Sequence, residues 1–209
     1  MNHIVFQSKC QGYSHIKSDL ECQDSTLVKK TEKYAIAVVA DGHGSASYFR
    51  SSRGSLFATE AAITAIEELL ETILSDKSNM DDFCASIDKH LIQLERSVIA
   101  RWHERVEDDY SKNPFLDSEI LKVDEKHKEK YLKGERIEAA YGSTLIAVAC
   151  TDAFWFGIHI GDGKCITCDY SGNFAEPIPW DEKCFLNVTT SISDSNAIDI
   201  PKVCREHYL

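Results

Sequence analysis

The sequence predicts an α+β fold, and three observations lead to this class. The apolar run YAIAVVA at 34–40 indicates a strand that is covered on both faces. A long stretch with apolar residues at helical spacing follows it. A second group of short apolar runs, separated by turn residues, begins near residue 143. Strands, then helices, then an antiparallel meander differ from the regular alternation of an α/β protein.

The first half of the chain predicts a strand pair followed by two long helices. The opening 33 residues are mostly polar and indicate an edge strand and a hairpin. Apolar spacing predicts one helix from about 46 to 75, despite Gly54, and a second from about 80 to 108. Asn79 is the expected N-terminal cap of the second helix.

The second half predicts one short helix and then an antiparallel meander. Residues 111–137 are rich in charge and indicate a short exposed helix between loops. Strands are expected at 143–150 and 153–160, with a tight turn between them. A further strand at 164–170 would follow a hairpin turn at Gly161-Asp162-Gly163.

Length and charge narrow the classes of function. The 209 residues suit one domain over 1–209, and the net charge of -11 argues against nucleic-acid or anionic-membrane partners. No apolar run approaches the ~18–20 residues of a membrane span, and the N-terminus lacks a signal-peptide pattern. We therefore expect a cytoplasmic protein with free thiols among its eight cysteines. A zinc knuckle at Cys165 and Cys168 is the less favoured alternative, because positions three apart on a strand face opposite sides.

The segment Asp41-Gly42-His43-Gly44 carries the first chemical signal. An aspartate directly after a buried strand is held rigidly and partly desolvated, and a hard divalent cation is one partner it can take. Gly42 lets the chain bend and offers its carbonyl as a ligand. His43 is placed to carry a proton. An ordinary Asp-Gly turn with a passive histidine is the alternative.

Two further acids stand beside predicted strands. Asp24 precedes the strand at 34–40, and Asp162 follows the strand at 153–160. If these acids meet Asp41 at one rim of the sheet, the oxygen ligands suit two hard cations better than one, because waters can complete the shells.

Taken in order, four motifs resemble a known family. They are Gln23-Asp24, Asp41-Gly42-His43-Gly44, Gly142-Ser143-Thr144 and Gly161-Asp162-Gly163-Lys164. This order is similar to that of metal-dependent protein phosphatases of the PP2C type, whose pattern runs from an acid pair through DGHGG and GST to GDSR. The resemblance implies a sandwich of two antiparallel β-sheets flanked by helices. It also implies hydrolysis of phosphoserine and phosphothreonine in phosphoprotein substrates.

The resemblance implies a role for each matching residue. Asp41 would bridge two Mn²⁺ or Mg²⁺ ions, with the Gly42 carbonyl as a further ligand. Asp24 would hold metal-bound water, and Asp162 would serve a further, weaker metal. His43 would protonate the leaving alcohol. The ions would lower the pKa of a shared water that attacks phosphorus in line, without a phosphoenzyme.

The chain departs from the family pattern at several positions. Gln23 stands where many members have Glu, and Gly163 and Lys164 replace the usual Ser and Arg. A cation that would bind the phosphate is not evident: Lys17 is the nearest candidate, but its position after His15 favours a plain surface lysine.

The largest departure lies near the C-terminus. Family members continue with an Asp-Gly and an Asp-Asn that complete the metal shell, whereas the last aspartates here are Asp194 and Asp199. The resemblance therefore predicts a domain that is truncated at its C-terminus, with an open sheet edge and reduced or absent activity. The alternative is a non-catalytic phosphatase-like module that binds a phosphoprotein or a regulator. The sequence leaves the oligomeric state open.

Overall fold

A computed structural model describes residues 4–17, 20–186, 188–197 and 202–206 of the chain. Its helices are α1 (Tyr13–Lys17), α2 (Ser51–Ile73), α3 (Lys77–Ala85), α4 (Ile87–Lys112), α5 (Asp117–Ile120) and α6 (Glu125–Leu132). Its strands are β1 (Asp24–Lys30), β2 (Tyr34–Asp41), β3 (Leu145–Thr151), β4 (Phe154–Ile160), β5 (Thr167–Cys168), β6 (Phe174–Ala175) and β7 (Lys202–Glu206). Short 3₁₀ helices cover Ala46–Tyr48 and Ile137–Tyr141.

The main sheet has five antiparallel strands in the order β1-β2-β3-β4-β7. Since β1 and β2 run in opposite directions, the start of β1 and the end of β2 lie at the same rim. Asp24 is the direct cross-strand partner of Asp41 there. The register of this one strand pair therefore brings together two acids that are distant in sequence.

The helices cover one face of the main sheet and form the core with it. Ile36 and Val38 of β2 point into this core, whereas Val39, the residue after Val38, remains 47% exposed. The long helix α2 packs against β1 and β2, and α4 packs against α2. Trp102 of α4 is fully buried, and its indole N–H donates to the carbonyl of Gly54 at 3.0 Å. The most deeply buried indole thus has a hydrogen-bond partner.

The strand predictions are confirmed for the main sheet and wrong beyond it. The strands expected at 34–40, 143–150 and 153–160 correspond to β2, β3 and β4. The predicted hairpin between β4 and a strand at 164–170 is wrong, because β4 pairs with β3 and β7 while β5 pairs only with β6. At Gly161 the backbone has φ of +111°, and the chain leaves the sheet there. Apart from the main sheet, the described ranges contain one further sheet, formed by β5 and β6 with two residues each.

The helix predictions hold in position but not in number. The single helix expected from 80 to 108 is divided into α3 and α4 at Ser86, whose φ and ψ of -142° and 45° are not helical. The cap of α3 is Asp76 and not Asn79: the Asp76 carboxylate accepts the Asn79 N–H at 3.0 Å. The helix expected from about 46 begins as a 3₁₀ turn, and α2 itself starts at Ser51.

The polar segments also differ from their predictions. The opening 33 residues contain the short helix α1 and the edge strand β1, which forms its hairpin with β2. The single helix expected within 111–137 is replaced by α5 and α6. None of the helices in the described part of the chain has the length and apolar character needed to cross a bilayer.

Candidate active site

Two carboxylates face each other at the rim formed by β1 and β2. Asp24 and Asp41 are cross-strand partners, and both line a cavity of about 350 Å³. Burial raises the pKa of Asp41 to about 6, and the charge of Asp24 and a hydrogen bond with it add to this rise. Part of the Asp41 surface remains open to solvent, so the carboxylate is both crowded and accessible.

The turn after β2 is held by hydrogen bonds from the segment that precedes β3. The carbonyl of Asp41 accepts a hydrogen bond from the Thr144 N–H at 2.8 Å, and the backbone N–H of Asp41 donates to the Thr144 hydroxyl at 3.0 Å. The His43 N–H donates to the carbonyl of Gly142 at 3.1 Å. The Gly-Ser-Thr motif therefore fixes the backbone that carries Asp41 and His43.

Glycine is required at position 42 because of close packing. The Gly42 N–H donates to the carbonyl of Gln23 at 3.2 Å. A Cβ at this position would lie 2.6 Å from the carbonyl oxygens of Gln23 and Ser51. The Gln23 side-chain amide also donates to the His43 carbonyl at 3.2 Å, so Gln23 supports the turn with both its backbone and its side chain.

The imidazole of His43 lies in a neighbouring cavity of about 460 Å³ that Thr189 also lines. Its ring packs edge-on against Tyr48, with ring centroids 4.7 Å apart. Burial lowers the pKa of His43, and the negative charges of Asp194 and Asp162 oppose this effect. The ring is therefore neutral at pH 7 in the absence of a ligand.

Asp162 lies on the loop after β4 and is exposed. It accepts a hydrogen bond from the Thr189 hydroxyl at 3.2 Å. Its charge raises the pKa values of both Asp41 and His43, so it lies within electrostatic reach of each. The structure thus pairs Asp24 with Asp41 and leaves Asp162 in an outer position with a partner of its own.

Among the described residues, no group of three or more His, Cys, Asp or Glu side chains is arranged to hold a metal ion. The paired carboxylates of Asp24 and Asp41 nevertheless fit one hard cation, because their repulsion is what raises the pKa of Asp41 beyond the effect of burial.

Of the two aspartates near the C-terminus, Asp194 does not join this pair in the described part of the chain. Its carboxylate accepts a hydrogen bond from the Ser191 N–H at 2.9 Å, and Asp199 lies outside the described residues.

Two basic residues near the carboxylate pair, Lys9 and His15, were missed in the sequence. Lys9 lines the cavity with Asp24 and Asp41, and its ammonium group donates to the Asp24 carbonyl at 3.2 Å. His15 of α1 lies close enough for its charge to lower the pKa of Asp41. Lys17, the nearest candidate in the sequence, is exposed. In the sequence, Lys9 is marked only by its position in the polar N-terminal segment, which does not indicate a role in the site.

A buried arginine anchors the chain just beyond the site. Arg50 immediately precedes α2 and is 5% exposed. All five of its guanidinium N–H groups have acceptors: two go to the Glu119 carboxylate at 2.9 Å each, and the others go to the Tyr141 hydroxyl and the carbonyls of Asn113 and Pro114. The Arg50 backbone N–H donates to the Ala140 carbonyl at 2.9 Å. Arg50 therefore ties the start of α2 to the segment that leads into the Gly-Ser-Thr motif.

Comparison with known protein families matches residues 11–206 to protein phosphatase 2C. The match covers nearly the whole chain, and the chain belongs to this family. No curated protein matches it. Family membership supports a phosphatase function in general terms.

Proposed function

We propose that this chain is a metal-dependent protein serine/threonine phosphatase. The observation that carries the metal dependence is the facing pair Asp24 and Asp41, in which burial and mutual repulsion raise the pKa of Asp41 to about 6. A divalent cation bound by the two carboxylates would offset the repulsion that the ionised pair otherwise suffers at neutral pH. Family membership supports the choice of a phosphate ester as the substrate.

In this proposal Asp24, Asp41 and the carbonyl of Gly42 are ligands, and Asp162 serves a more weakly held ion. When bound, Mn²⁺ or Mg²⁺ supplies the Lewis acidity that activates water and neutralises phosphoryl oxygens. Lys9 lines the same cavity and is placed to attract the phosphate dianion.

His43 is proposed to hold the proton that the leaving oxygen requires. Its ring is neutral in the free protein because burial lowers its pKa. A phosphate dianion arriving beside the ring adds negative charge to that of Asp194 and Asp162, and negative charge favours the imidazolium form. Substrate binding would therefore load His43 with a proton before the alcohol departs.

The proposal takes residues 1–209 as one domain that acts on phosphoserine or phosphothreonine in cytoplasmic proteins. The packing of α2 on β1 and β2 and of α4 on α2 supports the single-domain assignment. Because the carboxylate pair is partly open to solvent, the phosphorylated residue of a protein substrate could reach it from the surface.

One observation favours a second candidate function. Within the described residues, no third acidic or histidine ligand joins Asp24 and Asp41 in a metal-binding group. A non-catalytic phosphatase-like module that binds a phosphoprotein or regulator would need no such group. This candidate predicts phosphopeptide binding without turnover.

Hydrolysis of an aryl phosphate, with Mn²⁺ and with EDTA, separates the two candidates. We expect turnover that requires Mn²⁺, that disappears in Asp41→Asn and that survives in Asp81→Asn, a matched change at an exposed helical position. Phosphoserine and phosphothreonine peptides should then be cleaved faster than the phosphotyrosine peptide. Absence of turnover in a folded wild-type protein that still binds phosphopeptide would support the non-catalytic module.

A further inference from the structure

A cavity of about 740 Å³ lies between α4 and the turn at 193–197. Arg96 and His103 of α4 line it, together with Arg136, which precedes the 3₁₀ helix Ile137–Tyr141. None of its lining residues lines the cavities of Asp41 or His43. It is therefore a different cavity from those of the candidate active site, although the charge of its lining residue Asp194 reaches His43.

The arginines of this cavity differ from other arginines in the described part of the chain. Arg50, Arg53, Arg101 and Arg105 each form an ion pair with an aspartate or glutamate. Within the same ranges, Arg96 and Arg136 form no ion pair, and both line this cavity. An unpaired guanidinium group is suited to bind a carboxylate or a phosphate through two parallel hydrogen bonds.

Two carboxylates also line the cavity, and neither lies within ion-pair distance of these arginines. Asp194 accepts the Ser191 N–H at 2.9 Å and so caps its own turn. Glu138 lies in the first turn of the 3₁₀ helix. Arg136 has φ of 57°, a left-handed conformation that is costly for a residue with a Cβ and that is often found at ligand sites.

The segment after residue 188 connects this cavity to the candidate active site. Thr189 lines the His43 cavity and donates to Asp162, whereas Ser195 lines the arginine cavity. Ser195 is six positions after Thr189 in the sequence, so these two residues lie no more than about 20 Å apart. An extended peptide of about six residues could therefore reach both sites.

We propose that this cavity binds an acidic group of the phosphoprotein substrate, a carboxylate or a second phosphate, within about six residues of the phosphorylated position. The identity of the ligand rests on the proposed phosphatase function, but binding itself requires no catalysis. Because the chain carries a net charge of -11, its surface as a whole repels acidic peptides. The positive charges of Arg96 and Arg136 would offset this repulsion at the cavity, so an acidic peptide would bind with its acidic group at this position.

Binding of labelled peptides to the full chain in EDTA tests the proposal without turnover. The probes are a phosphoserine peptide with three aspartates five residues away and the same peptide with three asparagines. The variants are Arg96→Gln and Arg136→Gln. Arg101→Gln is the matched control, since Arg101 is on the same helix but pairs with Glu68 outside the cavity. Thermal unfolding confirms that each variant is folded.

We expect wild type and Arg101→Gln to bind the aspartate peptide about ten-fold more tightly than the asparagine peptide, and each cavity variant to lose most of this preference. Replacement of the aspartates by a second phosphoserine should preserve the preference. Equal affinities for the two peptides in wild type, or an equal loss in Arg101→Gln, would overturn the proposal. Aryl phosphate turnover should be unchanged in the cavity variants, so failure of the proposed phosphatase function is detected separately.

Discussion

At the residue scale, the carboxylate of Asp41 reduces the stability of the metal-free protein at neutral pH. Its folded-state pKa is raised from 3.8 to about 6, first by burial and then by Asp24. The folded state therefore holds a proton on Asp41 more tightly than the unfolded chain does. The stability gained from this proton is present below the unfolded pKa and is lost as the pH rises through about 6.

Replacing Asp41 by asparagine should therefore stabilise the protein in EDTA. We expect Asp41→Asn to raise the free energy of unfolding by about 1 kcal/mol at pH 7.5, after allowance for the solvent exposure of the side chain. The gain should shrink as the pH falls from about 6 towards 4. Urea unfolding across this pH range measures it, with Asp81→Asn as the control. If the variant is equally or less stable than wild type at pH 7.5, the claim that the ionised Asp41 carboxylate destabilises the metal-free protein is refuted.

At the element scale, Arg50 joins the start of α2 to α5 and to the segment before β3. We expect Arg50→Met to lower the free energy of unfolding by about 3–5 kcal/mol, because Glu119 and Asp109 lose a buried partner. Arg53→Met removes an arginine that pairs with the same Asp109 but is 47% exposed, and it should cost less than about 1 kcal/mol. Urea unfolding at pH 7 compares the two. Similar costs would show that Arg50 is not the anchor.

The close approach of α2 to the 3₁₀ helix Ile137–Tyr141 depends on Gly54. In a helix interior, alanine is usually more favourable than glycine by about 1 kcal/mol. A Cβ at position 54 would, however, lie 1.7 Å from the carbonyl oxygen of Tyr141. Gly54→Ala should therefore destabilise the protein by about 2 kcal/mol or more, despite its better helix propensity. Gly44→Ala, where the nearest atom is 3.8 Å away, is the control, and thermal unfolding measures both.

The elements that periodicity predicted correctly are those of the main sheet and the long helices. The break at Ser86 was missed because Phe83 and Ile87 keep helical spacing across it. The hairpin after β4 was predicted wrongly because a Gly-Asp-Gly turn does not determine whether the chain folds back onto the same sheet or leaves it. Pairing of β4 with β7 joins residues more than 40 apart, and no local pattern encodes such a contact.

At the scale of the whole molecule, the site depends on pairing between distant segments. The importance of Asp24 and Asp41 could be inferred from the sequence, since each acid stands beside an apolar run. Their direct opposition follows from the β1–β2 register and could not be inferred locally. Lys9 and the support from Gln23 and Thr144 are products of the tertiary fold. The outer position of Asp162 follows from the departure of the chain at Gly161.

Calorimetric titration of Mn²⁺ at pH 7.5 tests most directly whether the Asp24 and Asp41 pair holds a divalent cation. The account predicts saturable binding to wild type and to Asp81→Asn, with affinity lost in Asp24→Asn and in Asp41→Asn. It also predicts that Mn²⁺ stabilises wild type against unfolding and leaves Asp41→Asn unaffected. Equal Mn²⁺ affinity in wild type and Asp41→Asn would contradict the account.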